Sequence, residues 1–194
     1  MRPSRHCQEA YSKASKILGM TASTITERSR EVLIPLYKSL VRPHLEYCSS
    51  IWSPYYSKDK KLLERVQHRF TKMVSGLRQL PYDKRLEHLG LWTLEERRNR
   101  ADLLEVFRIY KGWSTTAFDN LFTLHNGACT STRGHTAKLV KNRSRLELRR
   151  HFFSERVVNR WNNLDQRVID STSMNAFKNG LDRLRKRSIG FFTD

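Results

Sequence analysis

The chain has 194 residues, with Lys+Arg 37 against Asp+Glu 19, a net charge of +18 and a pI near 10.3. Hydrophobic residues make up 38% and aromatics 10%, lean for a globular chain but too rich for a disordered one. No apolar run approaches the roughly 20 residues of a membrane span. The start, Met1 to Ala10, has no apolar leader core. Cys7, Cys48 and Cys129 lie far apart, which argues against a disulfide scaffold. The expectation is an intracellular protein, nuclear or cytoplasmic and not tied to a membrane, whose surplus charge serves a polyanion. Nucleic acid ranks ahead of an acidic membrane surface.

Glu9 to Met20 reads as a short helix with Ala10, Ala14, Ile17 and Leu18 on one side. From Glu27 to Trp52, Val32, Leu33, Leu36, Tyr37, Leu40, Val41, Leu45, Cys48, Ile51 and Trp52 recur at helical spacing, and Pro43 should kink or restart that stripe. Ser57 is the expected N-cap of the clearest helix. Its inner stripe is Leu62, Leu63, Val66, Phe70, Met73, Val74 and Leu77, and its opposite face holds Lys58, Lys60, Lys61, Arg65, Arg69 and Lys72, diluted only by Asp59 and Glu64. Pro81 to Gly90 predicts a short helix with Leu86 and Leu89 inward. Thr93 and Glu96 form a capping box for another helix, ending at Gly112.

After Gly112 the composition shifts. Trp113 to Thr132 is rich in Thr, Ser, Asn and Gly and reads as a connection with a small helix near Ala117 to Phe122. Lys138–Lys141 and Arg145–Arg149 predict two short strands of a hairpin around Asn142-Arg143-Ser144. Phe152, Phe153, Val157, Trp161 and Leu164 mark a helix, and Ser173 caps a last one with Phe177, Leu181 and Leu184 inward. Residues 1–112 are thus expected to be helical, 113–132 a connecting segment and 133–194 a basic α+β part. The fold class is mainly α, with one β-hairpin.

Catalytic chemistry is not legible. Two-metal phosphoryl transfer needs clustered carboxylates, yet Asp59, Asp83, Asp102, Asp119, Asp165, Asp170 and Asp182 are scattered. Glu95-Glu96 reads as a solvated first helical turn. His125, Cys129 and His135 lack the further ligand and pair spacing of a zinc site. The expectation is no enzyme, no metal and no cofactor, with a hidden nuclease ranked last. The candidate phosphate contacts are Lys58, Lys61, Arg65, Arg69 and Lys72 on the helix, and Arg133, Lys138, Lys141, Arg143, Arg145, Arg149 and Arg150 in the hairpin region. Arginine forks on a rigid hairpin should contribute more than flexible lysines. Helical spacing assigns Phe152, Phe153 and Trp161 to the core rather than to base stacking. Arg183 to Arg187 reads equally as a nuclear import signal or a soluble helix end.

Three segments carry a resemblance. They are Leu36-Tyr37-Lys38-Ser39-Leu40-Val41-Arg42-Pro43-His44-Leu45-Glu46-Tyr47-Cys48 with Trp52-Ser53-Pro54, Gly90-Leu91-Trp92-Thr93-Leu94-Glu95-Glu96-Arg97-Arg98, and Phe152-Phe153-Ser154-Glu155-Arg156-Val157-Val158-Asn159-Arg160-Trp161-Asn162. In this order they resemble the C-terminal part of reverse transcriptases from non-LTR (LINE-type) retrotransposons, of the jockey and chicken-repeat kind, over about Tyr11 to Arg187. The resemblance implies a thumb-like helical region that grips a template–primer duplex, followed by a basic region. The aromatic-X-Asp-Asp motif of the palm and the upstream endonuclease are absent, so neither activity carries over. What it implies is sequence-independent contact with RNA or an RNA–DNA duplex by a fragment of such a polymerase. Two alternatives stay open. One is a protein-interaction module, meeting a reverse transcriptase palm or itself through apolar surface at Leu33, Leu40 and Ile51–Trp52. The other is a decayed copy without selected function.

Overall fold

Apolar residues at helical spacing build most of the backbone, and a computed structural model describes residues 3–125 and 134–193. The chain divides into two compact units, Met1–Arg98 and Asn99–Asp194. The composition shift predicts a boundary at Gly112; the division falls inside a helix instead.

In the first unit, α1 (Pro3–Thr24) buries Cys7, Ala10, Ala14 and Leu18 against α5 (Ser57–Met73), which buries Leu63, Val66 and Phe70. Ser4 meets Asp59, and the Arg28 carbonyl meets the Ser75 amide, so the two helices run parallel. Between them the chain forms α2 (Arg30–Leu36), a π-helical turn (Tyr37–Val41), α3 (Pro43–Glu46) and α4 (Ser49–Trp52). Pro43 does restart the helix, at a first-turn position where its missing N–H costs nothing. The π turn ahead of it closes through Arg42 N–H to the Tyr37 carbonyl at 2.9 Å. Cys48, at the entry to α4, holds φ 51, a left-handed conformation rare for a side-chain-bearing residue.

α6 (Tyr82–Leu89) ends in a Schellman turn. Gly90 takes φ 61, and Leu91 N–H reaches the Leu86 carbonyl at 2.9 Å. α7 (Leu94–Tyr110) opens on the expected capping box: Thr93 N–H donates to Glu96 Oε2 at 2.9 Å, and Glu96 N–H to Thr93 Oγ1 at 3.1 Å.

In the second unit, Leu103, Val106 and Phe107 of α7 are buried, as are Phe153, Val157, Val158, Trp161, Phe177 and Leu181. Phe107 stacks on Phe177 with ring centroids 4.0 Å apart. The expected helix from Phe152 to Leu164 is broken: α8 (Glu147–Arg150) precedes it, and α9 (Phe153–Arg156) and α10 (Val158–Asn162) share its span. α11 (Gln166–Ile169) and α12 (Met174–Arg187) follow. Ser173 caps α12 by accepting from Ala176 N–H at 3.1 Å. Arg156 forks onto Asp102, at 2.8 and 2.9 Å, with the carboxylate 2% exposed.

The expected hairpin is not formed. Leu139 instead makes an isolated antiparallel bridge to Leu124, flanked by His125 N–H to the Lys138 carbonyl and Val140 N–H to the Thr123 carbonyl. On its other edge the Asn162 side chain takes Leu139 N–H at 2.8 Å and donates back to the Leu139 carbonyl at 2.9 Å. With both of its backbone groups satisfied, Leu139 has none left to pair with Arg145–Arg149. That segment closes on itself, and Arg149 and Arg150 N–H bond the Leu146 carbonyl.

Asn162→Ala removes both bonds to Leu139. Chemical denaturation should show a loss of about 1–3 kcal/mol with an unchanged m-value. His135 is buried, with Nε2 2.9 Å from the Trp161 carbonyl, and burial holds its pKa below the usual 6.5. The folded chain therefore binds this proton more weakly than the unfolded chain does, and protons favour unfolding. Stability should fall as pH drops below about 6.5, and His135→Gln should flatten that part of the pH–stability curve.

Candidate nucleic-acid interface

α5 positions the first set of cations. Tyr56, rather than Ser57, is the N-cap, in an extended conformation, and Ser57 begins the helix. Lys58, Lys61, Arg65, Arg69 and Lys72 are all exposed, at steps of three or four residues along one face. At 1.5 Å per residue this stripe spans about 21 Å. None of these side chains forms an ion pair with a described residue. Lys60 leaves the stripe: it is half-buried, with Nζ 2.7 Å from Glu95. Asp59, expected to dilute the face, is buried at 5% exposure and accepts a hydrogen bond from Ser4 Oγ at 2.6 Å. The stripe is thus more purely basic than its sequence.

The rotation of α5 is set from its inner face. Gln67, fully buried, accepts from the Tyr37 hydroxyl at 2.7 Å and donates to Tyr82 and to the Trp92 carbonyl, each at 3.0 Å. Glu64 accepts from the Tyr82 hydroxyl and from Leu94 N–H at 3.0 Å. Burial pushes the Glu64 carboxyl up despite these donors, and pushes the Tyr37 and Tyr82 hydroxyls up as well, so both phenols stay neutral donors.

Beside the stripe lies α1. The Arg65 guanidinium sits over the Tyr11 ring, 5.7 Å from its centroid. Ser4 and Gln8 of α1, with Lys58, Asp59, Lys61, Leu62 and Arg65 of α5, line an open groove of about 380 Å³. No sequence signal pairs these helices, so Ser4, Gln8 and Tyr11 escape a linear reading.

The second set of cations is less ordered than expected. Lys141, Arg143 and Arg145 are exposed but lie on an irregular segment rather than a hairpin. Arg149 and Arg150 sit on the single turn of α8. Arg149 lies 3.8 Å from the buried Glu155 and over the Phe152 ring, and Arg150 Nε donates to the Ser144 carbonyl at 3.0 Å. Lys138 is half-buried. Arg133 and Cys129 lie outside the described residues. Phe153 and Trp161 are core, as their spacing predicts, but Phe152 is 45% exposed. Leu146 and Leu148 are exposed as well, so this region mixes apolar with basic surface.

Among the described residues no group of three His, Cys, Asp or Glu side chains is placed to hold a metal ion, and no helix is long and apolar enough to cross a membrane. No protein-family model, curated protein or solved structure matches this chain.

Proposed function

We propose that the chain is a non-catalytic nucleic-acid-binding module that grips RNA or an RNA–DNA duplex through its phosphates, without reading sequence. The observation that carries this reading is the stripe of Lys58, Lys61, Arg65, Arg69 and Lys72, unpaired with any described acid and held on a helix locked from behind. Cations arrayed on a rigid element neutralise successive phosphates and release counterions, which supplies most of the free energy of sequence-independent binding. The resemblance to the thumb of LINE-type reverse transcriptases supports the same partner class. Loss of the hairpin reverses the ranking of the two basic regions. The arginines at 143–150 lack the fixed scaffold that would limit their entropy cost, and Arg149 is drawn toward Glu155.

A second reading, association with another protein or a second copy, is favoured by Tyr47 at 78% and Ile51 at 72% exposure, with Leu40 also open. Leu33 and Trp52, expected on that surface, are buried instead at 1% and 5%. Concentration-dependent sedimentation without RNA, abolished by Tyr47→Ser with Ile51→Ser, would support this reading over the first.

For the nucleic-acid reading, a salt titration with single-stranded RNA should give a steep linear fall of log affinity with log salt. Lys61→Gln with Arg69→Gln should flatten that slope by about 1.4, or roughly 0.7 per lost phosphate contact. Arg143→Gln with Arg145→Gln should change it less. A flat titration of the unaltered protein would refute the reading.

A further inference from the structure

We propose that the groove between α1 and the start of α5 seats one ribonucleotide of a bound strand, its phosphate on Lys58, Lys61 and Arg65 and its ribose 2′-hydroxyl on Asp59. The inference rests on the phosphate grip proposed for α5 and adds a preference for RNA over DNA.

The groove's chemistry is mixed in a way that a bare phosphate site is not. Lys58, Lys61 and Arg65 line it together with a buried carboxylate, Asp59. A carboxylate repels phosphate oxygens and accepts from donors. The ligand that satisfies both walls carries an anion and a hydroxyl donor a few ångströms apart, as a ribonucleotide does. Ser4 Oγ donates to Asp59 Oδ2 at 2.6 Å and so anchors the carboxylate, while its remaining lone pairs stay available to a ligand. Leu62 adds an apolar wall against which the sugar can rest. About 380 Å³ falls within the range of small-ligand sites.

A deoxyribose would cover the Asp59 oxygen that Ser4 does not hold without offering it a donor, which costs more than the lost bond alone. DNA should therefore bind by the same cations but more weakly.

Fluorescence anisotropy at one fixed low salt tests this with three labelled single strands of the same sequence: RNA, 2′-O-methyl RNA and DNA. The methylated strand keeps the RNA backbone shape but has no 2′ donor, so it separates hydroxyl recognition from shape. RNA should bind on the order of tenfold more tightly than either other strand. Asp59→Ala should bring the three affinities together. The three strands compared on the unaltered protein carry the test by themselves, so a folding defect in Asp59→Ala does not decide the outcome. Equal binding of RNA and 2′-O-methyl RNA overturns the groove assignment and leaves the phosphate grip standing. Failure of all three strands to bind overturns both. Displacement of the RNA by micromolar adenosine monophosphate would make this a free-nucleotide site and overturn its assignment to a strand; no displacement is expected below millimolar.

Discussion

Gln67 is the residue on which the first unit turns. Its buried amide joins the Tyr37 hydroxyl, the Tyr82 hydroxyl and the Trp92 carbonyl, one helical turn beyond Glu64, which holds Tyr82 and the first amide of α7. Gln67 and Tyr37 are removed from water and Glu64 and Tyr82 are half-buried, and a buried polar group costs about 1–3 kcal/mol if left unpaired. A rotation of α5 by a fraction of a turn would break several bonds at once. The inner polar node therefore fixes where the outer face points, and through it the direction of the basic stripe.

The need to pair what is buried also divides the cations of this strongly basic chain into two kinds. Arg97 forks onto Glu46, Arg156 onto Asp102, and Arg85 binds Thr71 Oγ1 and the His68 carbonyl, all within the body of their own unit. Arg98 is buried at 2% exposure. Burial lowers its pKa, while the nearby Glu64, Glu95 and Glu46 support its charge. Arg97, Arg156 and Arg85 thus bind other segments of their own unit, whereas Arg98 Nη1 and Nη2 are buried with no hydrogen-bond partner among the described residues. The cations of the α5 stripe carry no such acidic partners, so their field is directed into solvent, where a polyanion meets it. A net charge summed over the sequence cannot separate the two kinds, because the separation depends on which acids lie nearby in space.

That distinction explains how well the candidate site was legible. The stripe at Lys58, Lys61, Arg65, Arg69 and Lys72 follows from helical periodicity alone, since apolar residues on one face oblige polar residues to take the other. The region at 138–150 misled for the converse reason. Short alternating segments look like strands, but a strand exists only when a partner accepts its hydrogen bonds. Leu139 found its partners in the 123–125 segment and in the side chain of Asn162, distant in sequence. Arg145–Arg149 was left without an edge and coiled locally.

What the residues dictated on their own was local: the capping box at Thr93 and Glu96, the left-handed Gly90 after α6, the Ser173 cap of α12, the restart at Pro43 and the amphipathic face of α5. Each depends on groups within a few residues of one another, so spacing alone expresses it. Only the tertiary structure decided that Lys60 is consumed by Glu95, that Asp59 turns inward to Ser4, that Arg65 lies over Tyr11, and that α1 and α5 enclose a groove. Those contacts join segments far apart along the chain. Burial and the satisfaction of buried polar groups select them, and neither is written in the order of the residues.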